Sequence, residues 1–258
     1  MKLFKSNLVF MKEVYSQAFK QIKEYPINFF SVVYFDISLT AVYLFFYSII
    51  QSLSVNFLNW TYLDFILLYV TIQMVNKATY FFILRGLNKQ LLSGELNVWK
   101  CKPISPFIGM SSRAKDGAIF TTLLFIPFFI VLYIYGSYQN LLLGILLLLF
   151  GLVYYTIYSD FFESIAFFIK QNNFIIRISK DVAYLNDRFT PKVFEGSRLN
   201  FLFYLPTALF GFYFIEVVNN RFDYLIQHIS GILISFLLFV IGTYIMWYYG
   251  LKKYEAFG

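Results

Sequence analysis

Six long apolar segments, separated by polar or charged connections, dominate the sequence. They lie near 28–50, 63–84, 117–136, 141–159, 199–218 and 229–249. A helix needs about 20 predominantly apolar residues to cross the hydrocarbon core of a bilayer, and each segment is close to that length. The chain is 59% hydrophobic and 23% aromatic, which is unlike an ordinary soluble domain. The pattern predicts an all-α polytopic membrane protein with six transmembrane helices.

Lys and Arg residues are concentrated in alternate connections between these segments. Residues 1–26 carry five, 85–115 six, 160–198 six and the tail after Tyr249 two, whereas 51–62, 137–140 and 219–228 hold only Arg221. Positively charged loops stay on the cytoplasmic side of a membrane. The bias predicts a multi-pass protein of the cell membrane with both termini in the cytoplasm. It also explains the net charge of +7 without nucleic acid as a partner.

An amphipathic stretch precedes the first span. Apolar residues recur at helical spacing over 8–25, polar residues cover the other face, and Pro26 ends the pattern. A helix of this kind lies in the membrane interface in contact with lipids. We therefore expect an N-terminal elbow helix over 1–26 and a six-span domain over 27–258; a soluble helix packed on a partner is the alternative. Residues 174–189 form a second amphipathic segment.

The connection 85–115 is unusually apolar for a solvated loop. Gly94, Pro103 and Pro106 predict a short helix, a turn and another short helix. Its Leu, Val and Trp residues favour docking, either onto the membrane surface or onto another protein.

The residues that catalysis or metal binding would require are scarce. The chain has one Cys, Cys101, and one His, His228, which excludes an internal disulfide and a Cys-based or His-cluster metal site. Neither a GxxxxGK[ST] phosphate loop nor a GxSxG motif is present. We predict that the chain is not an enzyme and holds no cofactor. Asp160 and Glu163, three residues apart, are more typical of a surface or packing role than of a catalytic pair.

Two charged residues fall well inside predicted spans. Asp36 lies in the first span and Lys77 in the second, and a charge at such a depth is costly unless it is partnered. We expect the two side chains to pair between the antiparallel spans. A static pair that stabilises packing, a Lys77 that reaches the headgroups alone and a role in transport are all open. Asp64 and Glu216 lie near span ends, where exposure to water is expected.

Three stretches together resemble one family. They are LLSGELNVWKCKPISPF at 91–107, RFTPKVFEG at 188–196 followed by LNFLFYLPTALFGFY at 199–213, and GLKKYEAFG at 250–258. Their order on a six-span map is similar to that in the permease subunits of ABC exporters of the type-2 group. Asn97 stands where that family often has Asp, and Phe189 and Thr190 replace its usual aromatic–Pro spacing.

The resemblance implies a mechanism and partners. A second permease, identical or a sibling, would complete the pathway, and two copies of a separate ATPase would bind ATP and Mg. The connection after the second span would carry the helix that couples to the ATPase. The residues carried over to that role are Gly94, Glu95, Leu96, Asn97, Val98, Trp99 and Pro103. Export as the direction of transport also follows from the resemblance.

Two other classes of function remain open. A secondary transporter would use Asp36 and Lys77, but such folds usually have internal repeats and broken half-helices, and the sequence indicates neither. A membrane-embedded enzyme of lipid or cell-envelope metabolism would have only Asp160, Glu163 and Arg177 as candidates. The substrate is not readable from the sequence under any of these hypotheses.

Overall fold

The fold is described by a computed structural model that covers residues 2–52, 60–79, 86–111, 130, 140–169, 172–188 and 190–254. Within these residues the regular structure is helical, without strands. The α-helices are α1 (Lys2–Glu24), α2 (Pro26–Ser52), α3 (Tyr62–Thr79), α4 (Leu87–Leu92), α5 (Glu95–Lys100), α6 (Pro106–Ser111), α7 (Leu141–Ser164), α8 (Asn173–Arg188), α9 (Pro206–Val218) and α10 (Asp223–Lys253). Short 3-10 turns cover Ile165–Phe167, Pro191–Phe194 and Asn200–Tyr204.

The helices follow four of the six predicted spans closely. α2 and α7 cover the segments near 28–50 and 141–159, α10 covers 229–249 and extends beyond both ends, and α3 covers 63–79 of the segment near 63–84. Of the described residues, the helices Phe29–Ile49, Leu141–Phe167 and Asp223–Lys253 are long and apolar enough to cross a membrane. The predicted span near 117–136 lies outside the described residues, apart from Ile130.

The N-terminal helix and the first span meet at a proline. α1 ends at Glu24, and α2 begins at Pro26, a first position where the missing N–H of proline has no helical partner to lose. α1 begins at Lys2, before the amphipathic pattern over 8–25, and lies within the range 1–26 predicted for the N-terminal helix. The second amphipathic segment, predicted over 174–189, is helix α8.

Glycines bring α7 and α10 close together along a seam in which the two helices run parallel, since residue numbers rise together along both of them. A Cβ on Gly242 would meet the ring of Phe161, and one on Gly250 would meet that of Phe167. Farther along the seam, the hydroxyl groups of Tyr154 and Ser235 are 2.6 Å apart. Small residues allow such backbone approach, which drives helix association where lipid replaces water.

The predicted span near 199–218 differs in the structure, where it is interrupted. A 3-10 turn ends at Tyr204, Leu205 is extended (φ −79°, ψ 151°) and α9 starts only at Pro206. A residue before proline is disfavoured in the helical region, so the break occurs at Leu205. Within α9, Leu209–Tyr213 form a π-helical turn.

The interrupted segment enters the bundle beside α7 and α10 and then returns toward the end from which it came. Tyr224 near the start of α10 donates to Glu195 (3.4 Å), whereas Tyr204 lies beside Gly231 and accepts from Tyr154 halfway along α7. From Pro206 the chain runs back, and Val218 reaches Gly144 near the start of α7. The chain from residue 195 to 218 thus forms a re-entrant hairpin, and part of the region predicted as one loop over 160–198 lies beside the start of α10.

The two ends of the helix bundle differ in the charges they carry. The lysine end comprises α4–α6 and the ends of α7 and α10, with Lys89, Lys100, Lys102, Lys252 and Lys253. The carboxylate end comprises residues 60–64, 216–223 and the start of α7, with Asp64, Glu216 and Asp223. The main apolar core between them is formed by α3, α7, α9 and α10.

Candidate functional site

The segment of residues 86–111 folds into three short helices at the lysine end. Gly86 precedes α4 with φ 65°, and Gly94 precedes α5 with φ 73°. These left-handed conformations suit glycine, which has no Cβ to clash with the carbonyl group that follows. The two glycines set the directions of α4 and α5, whereas the sequence predicted only two short helices in this connection.

One face of this segment is a small apolar core. It is built from Leu87, Leu91, Leu96, Trp99 and Met110 together with Ala166, and is covered by Phe10, Phe107, Phe167, Trp247, Leu251 and Tyr254. These residues come from α1, from the segment and from the ends of α7 and α10. The segment is therefore a packed unit that contacts three other parts of the chain: α1 and the ends of α7 and α10.

Trp99 occupies the centre of this core. A Cβ on Gly109 would collide with the indole ring of Trp99, and the ring of Phe10 meets it edge-on at 5.7 Å. Leu96, with 0% of its surface exposed, lies on the same buried face. Two residues that were assigned to coupling, Leu96 and Trp99, thus point into their own chain and not toward a partner.

The opposite face of the segment is exposed. Val98 is 53% exposed, and Asn97, Lys100, Cys101, Lys102 and Pro103 are also exposed. Gly94 and Glu95 are half-buried at the start of α5. Of the seven residues that the resemblance assigns to coupling, Asn97, Val98 and Pro103 are therefore the exposed ones.

Polar contacts fix the segment to its neighbours. The backbone N–H of Leu87 donates to Glu163 of α7 (3.2 Å), which places a carboxylate at the start of α4, where the helix dipole favours negative charge. The N–H of Ser105 donates to the side-chain oxygen of Asn7 in α1 (3.2 Å). Tyr254 donates to the carbonyl of Leu91 (3.4 Å).

Asp160 and Glu163, for which a surface or a packing role was expected, are both buried, which favours packing over exposure at the surface. Asn172 donates to the carbonyl groups of Phe162 and Glu163 (3.3 and 3.2 Å) and so satisfies backbone oxygens left free where α7 ends. Sequence reasoning missed the roles of Asn7, Asn172 and Tyr254, because no motif or periodicity marks a side chain that bonds a distant backbone group.

The predicted pairing of Asp36 with Lys77 concerns side chains that lie outside the described part of the structure, and it stays a prediction. Their helices do pack together: the rings of Tyr43 and Tyr69 stack at 4.6 Å, and Tyr62 donates to the carbonyl of Leu44 (3.2 Å). α2 and α3 are thus the neighbouring helices that the pairing requires.

At the carboxylate end, the expectation that Asp64 and Glu216 are exposed to water is wrong. Only 2% and 4% of their surfaces are exposed. The indole N–H of Trp60 donates to Glu216 (2.6 Å), and Arg221 lies 3.5 Å from the same oxygen. Asp64 accepts from the N–H and hydroxyl of Thr61 (2.8 and 3.0 Å) and from Asn219 (2.9 Å). Both carboxylates therefore have the partners that a buried charge requires.

Comparison with known proteins bears on the identity of the chain. The sequence profile of the family described as "ABC-2 family transporter protein" matches residues 37–258. No curated protein and no solved structure matches the chain. The matched range includes the three-helix segment, α7 to α10 and most of α2. The chain therefore belongs to the ABC-2 transporter family and is a transmembrane permease component of an ABC transporter, as the resemblance predicted.

Proposed function

We propose that this chain is the permease subunit of an ATP-driven exporter, and that the exposed face of residues 97–103 docks onto a separate cytoplasmic ATPase. The observation that carries the proposal is the two-sided segment: a packed face that holds Leu96 and Trp99, and an exposed face that presents Val98. A surface that must transmit force needs a rigid support, and the packed face provides it.

The attachments of the segment support a mechanical role. It is bonded to α1 through Asn7, to α7 through Glu163 and to the end of α10 through Tyr254. Packed interfaces respond to a push by shifting as rigid bodies. A movement of the segment, driven by closure of two ATPase copies around ATP and Mg, would therefore reach α1, α7 and α10 together.

A second permease, identical or a sibling, would complete the pathway. α2 is mostly exposed except where residues such as Tyr43 and Tyr47 pack on α3, and α10 buries only a small part of its apolar window. Faces of this kind contact lipid or another membrane subunit. Either both helices face lipid, or part of this surface faces the second permease. Export from the cytoplasm, with the lysine end as the cytoplasmic end, follows from the family resemblance and from the charge bias.

One observation favours the alternative of a stand-alone secondary transporter. Such folds place broken helices at their substrate sites, and the chain is broken at Leu205 and Pro206, midway between the two ends. The membrane-enzyme alternative is weakened, because Asp160 and Glu163 are buried in packing and Glu163 binds the start of α4.

The test is purification of the tagged chain from its native membrane in mild detergent, with identification of bound proteins by mass spectrometry. We expect an ATPase subunit to co-purify, and we expect Val98→Asp to reduce its recovery about ten-fold or more, as for a charge placed at an interface centre. Val193→Asp is the matched control, since Val193 is 43% exposed at the other end of the molecule. Recovery of the chain without any nucleotide-binding partner would favour the stand-alone transporter.

A further inference from the structure

The exposed face of the three-helix segment combines one apolar side chain with a positive border. Val98 projects from α5, and Lys100 and Lys102 follow it, all exposed. Over residues 86–111 the chain has three Lys residues, Lys89, Lys100 and Lys102, against one acidic residue, Glu95. One carboxylate oxygen of Glu95 is fully buried, so the exposed charge of this face is predominantly positive.

Aromatic rings hold the two lysines that border Val98. The ammonium group of Lys100 lies 4.9 Å from the ring centre of Tyr254, and that of Lys102 lies 4.4 Å from that of Trp99. A cation over an aromatic face is attracted by its quadrupole. The two ammonium groups are therefore held in position before a partner binds, which lowers the side-chain conformational entropy lost on binding.

The positive face points away from the bundle. Its packed reverse side rests on Ala166 after α7 and on Trp247 and Leu251 of α10, so the ends of the membrane helices lie behind it. With the lysine end at the cytoplasmic surface, as proposed, lipid headgroups would surround those helix ends, and Val98 and its two lysines would lie on the side of the segment that faces the aqueous phase. A soluble protein surface fits this position better than an anionic lipid surface does.

From this charge pattern, which rests on the proposed function, we infer that the ATPase groove that receives the segment has an apolar floor and an acidic rim. Val98 occupies the floor, and Lys100 and Lys102 meet carboxylates on the rim. Opposite potentials across an interface raise the rate of association and exclude wrong partners. The acidic rim would thus select this permease for its own ATPase.

The first test reverses the charges. Lys100→Glu with Lys102→Glu should lower retention of the co-purifying ATPase roughly ten-fold, with the melting temperature of the permease unchanged. Lys252→Glu with Lys253→Glu is the matched control, because both lysines are exposed at the same end on α10, and it should retain the wild-type amount.

Three outcomes would overturn the inference. If the Lys100/Lys102 variant keeps its ATPase, the acidic rim is excluded while the proposed function stands. If both variants lose the ATPase equally, general attraction to an anionic surface explains the effect. If the wild-type chain itself binds no ATPase, the proposed function fails, and the inference fails with it.

The second test uses Cys101, the one cysteine of the chain, which is exposed between the two lysines. A benzophenone maleimide attached to Cys101 in the purified complex should crosslink, on illumination, to ATPase peptides that contain Asp or Glu beside apolar residues. Crosslinks confined to lipid, to a second permease or to basic ATPase peptides would overturn the inference.

Discussion

The two ends of this permease handle charge in opposite ways. At the carboxylate end, Asp64 and Glu216 are almost fully buried, and Trp60, Asn219 and Arg221 bond to them. At the lysine end, Lys100 and Lys102 stay exposed over aromatic rings, and apart from the buried carboxylate of Glu163, apolar residues such as Leu96 form most of the buried part.

The difference follows from the cost of burying a charge. A buried carboxylate requires several fixed donors. If one group of a hydrogen-bonded pair is removed, the group that remains buried without a partner bears its full desolvation penalty. The two buried carboxylates at this end are thus fixed by their donors and are not available to a partner. Exposed lysines keep most of their hydration and remain available to a partner. This difference agrees with the proposal that the lysine end docks onto a partner, whereas the buried carboxylates hold the shape of the other end.

The largest expected effect tests whether apolar packing alone supports the lysine end. Leu96→Ala removes a fully buried side chain and should destabilise the segment by about 2–5 kcal/mol. The rate of tryptic cleavage after Lys89 and Lys100 in the detergent-solubilised chain should rise at least ten-fold by this estimate. Val98→Ala, on the exposed face, should leave the rate unchanged; equal sensitivity of the two variants would show that the segment has no packed face.

The next effect tests whether hydrogen bonds support the carboxylate end. Glu216→Leu leaves the indole N–H of Trp60 without its acceptor and should cost about 1–3 kcal/mol. Glu216→Gln keeps an oxygen acceptor and should cost less. The melting temperature in detergent and the emission of Trp60 would measure both. A Gln variant as unstable as the Leu variant would mean that the negative charge, and not the hydrogen bond, holds this end.

Hydropathy and charge bias predicted much of this architecture because they report averages over about 20 residues. α2, α7 and α10 are uniformly apolar over that length, so the average finds them. The hydropathy average did not identify the re-entrant hairpin, because the apolar residues on both sides of Leu205 and Pro206 give the pattern of one continuous span. A window average cannot distinguish a straight crossing from a chain that descends and returns.

At the candidate site, sequence reasoning located the segment but not its two faces. In α5, Leu96 and Trp99 are buried whereas Asn97 and Val98 between them are exposed, and the turn at Gly94 decides which of these residues face the core. Leu96 and Val98 are both apolar, so composition alone gives no reason to assign one to packing and the other to a partner. Contacts from Phe10 and Trp247 determine which face of α5 is buried, and these two residues are distant from α5 in the sequence.

A smaller effect concerns the turn that orients α5. Gly94 has φ 73° and open space around its Cα, so Gly94→Ala adds backbone strain without a collision and should cost about 1–2 kcal/mol. Gly94→Asn should cost less, since Asn tolerates the left-handed region. Lower ATPase recovery in the Ala variant than in the Asn variant would show that the direction of α5 matters for binding. Equal ATPase recovery in the two variants would show that the geometry of this turn does not affect docking.

The smallest effect separates the two contacts that Tyr254 makes at the lysine end. Burial raises the pKa of Tyr254, so its hydroxyl stays protonated at neutral pH and donates to Leu91 (3.4 Å). Tyr254→Phe removes this long hydrogen bond but keeps the ring under Lys100, and should cost at most about 0.5–1 kcal/mol. Tyr254→Ala also removes the ring and should lower ATPase recovery further. If Phe and Ala behave alike in melting temperature and recovery, the hydroxyl is the contact that matters, and the ring does not position Lys100.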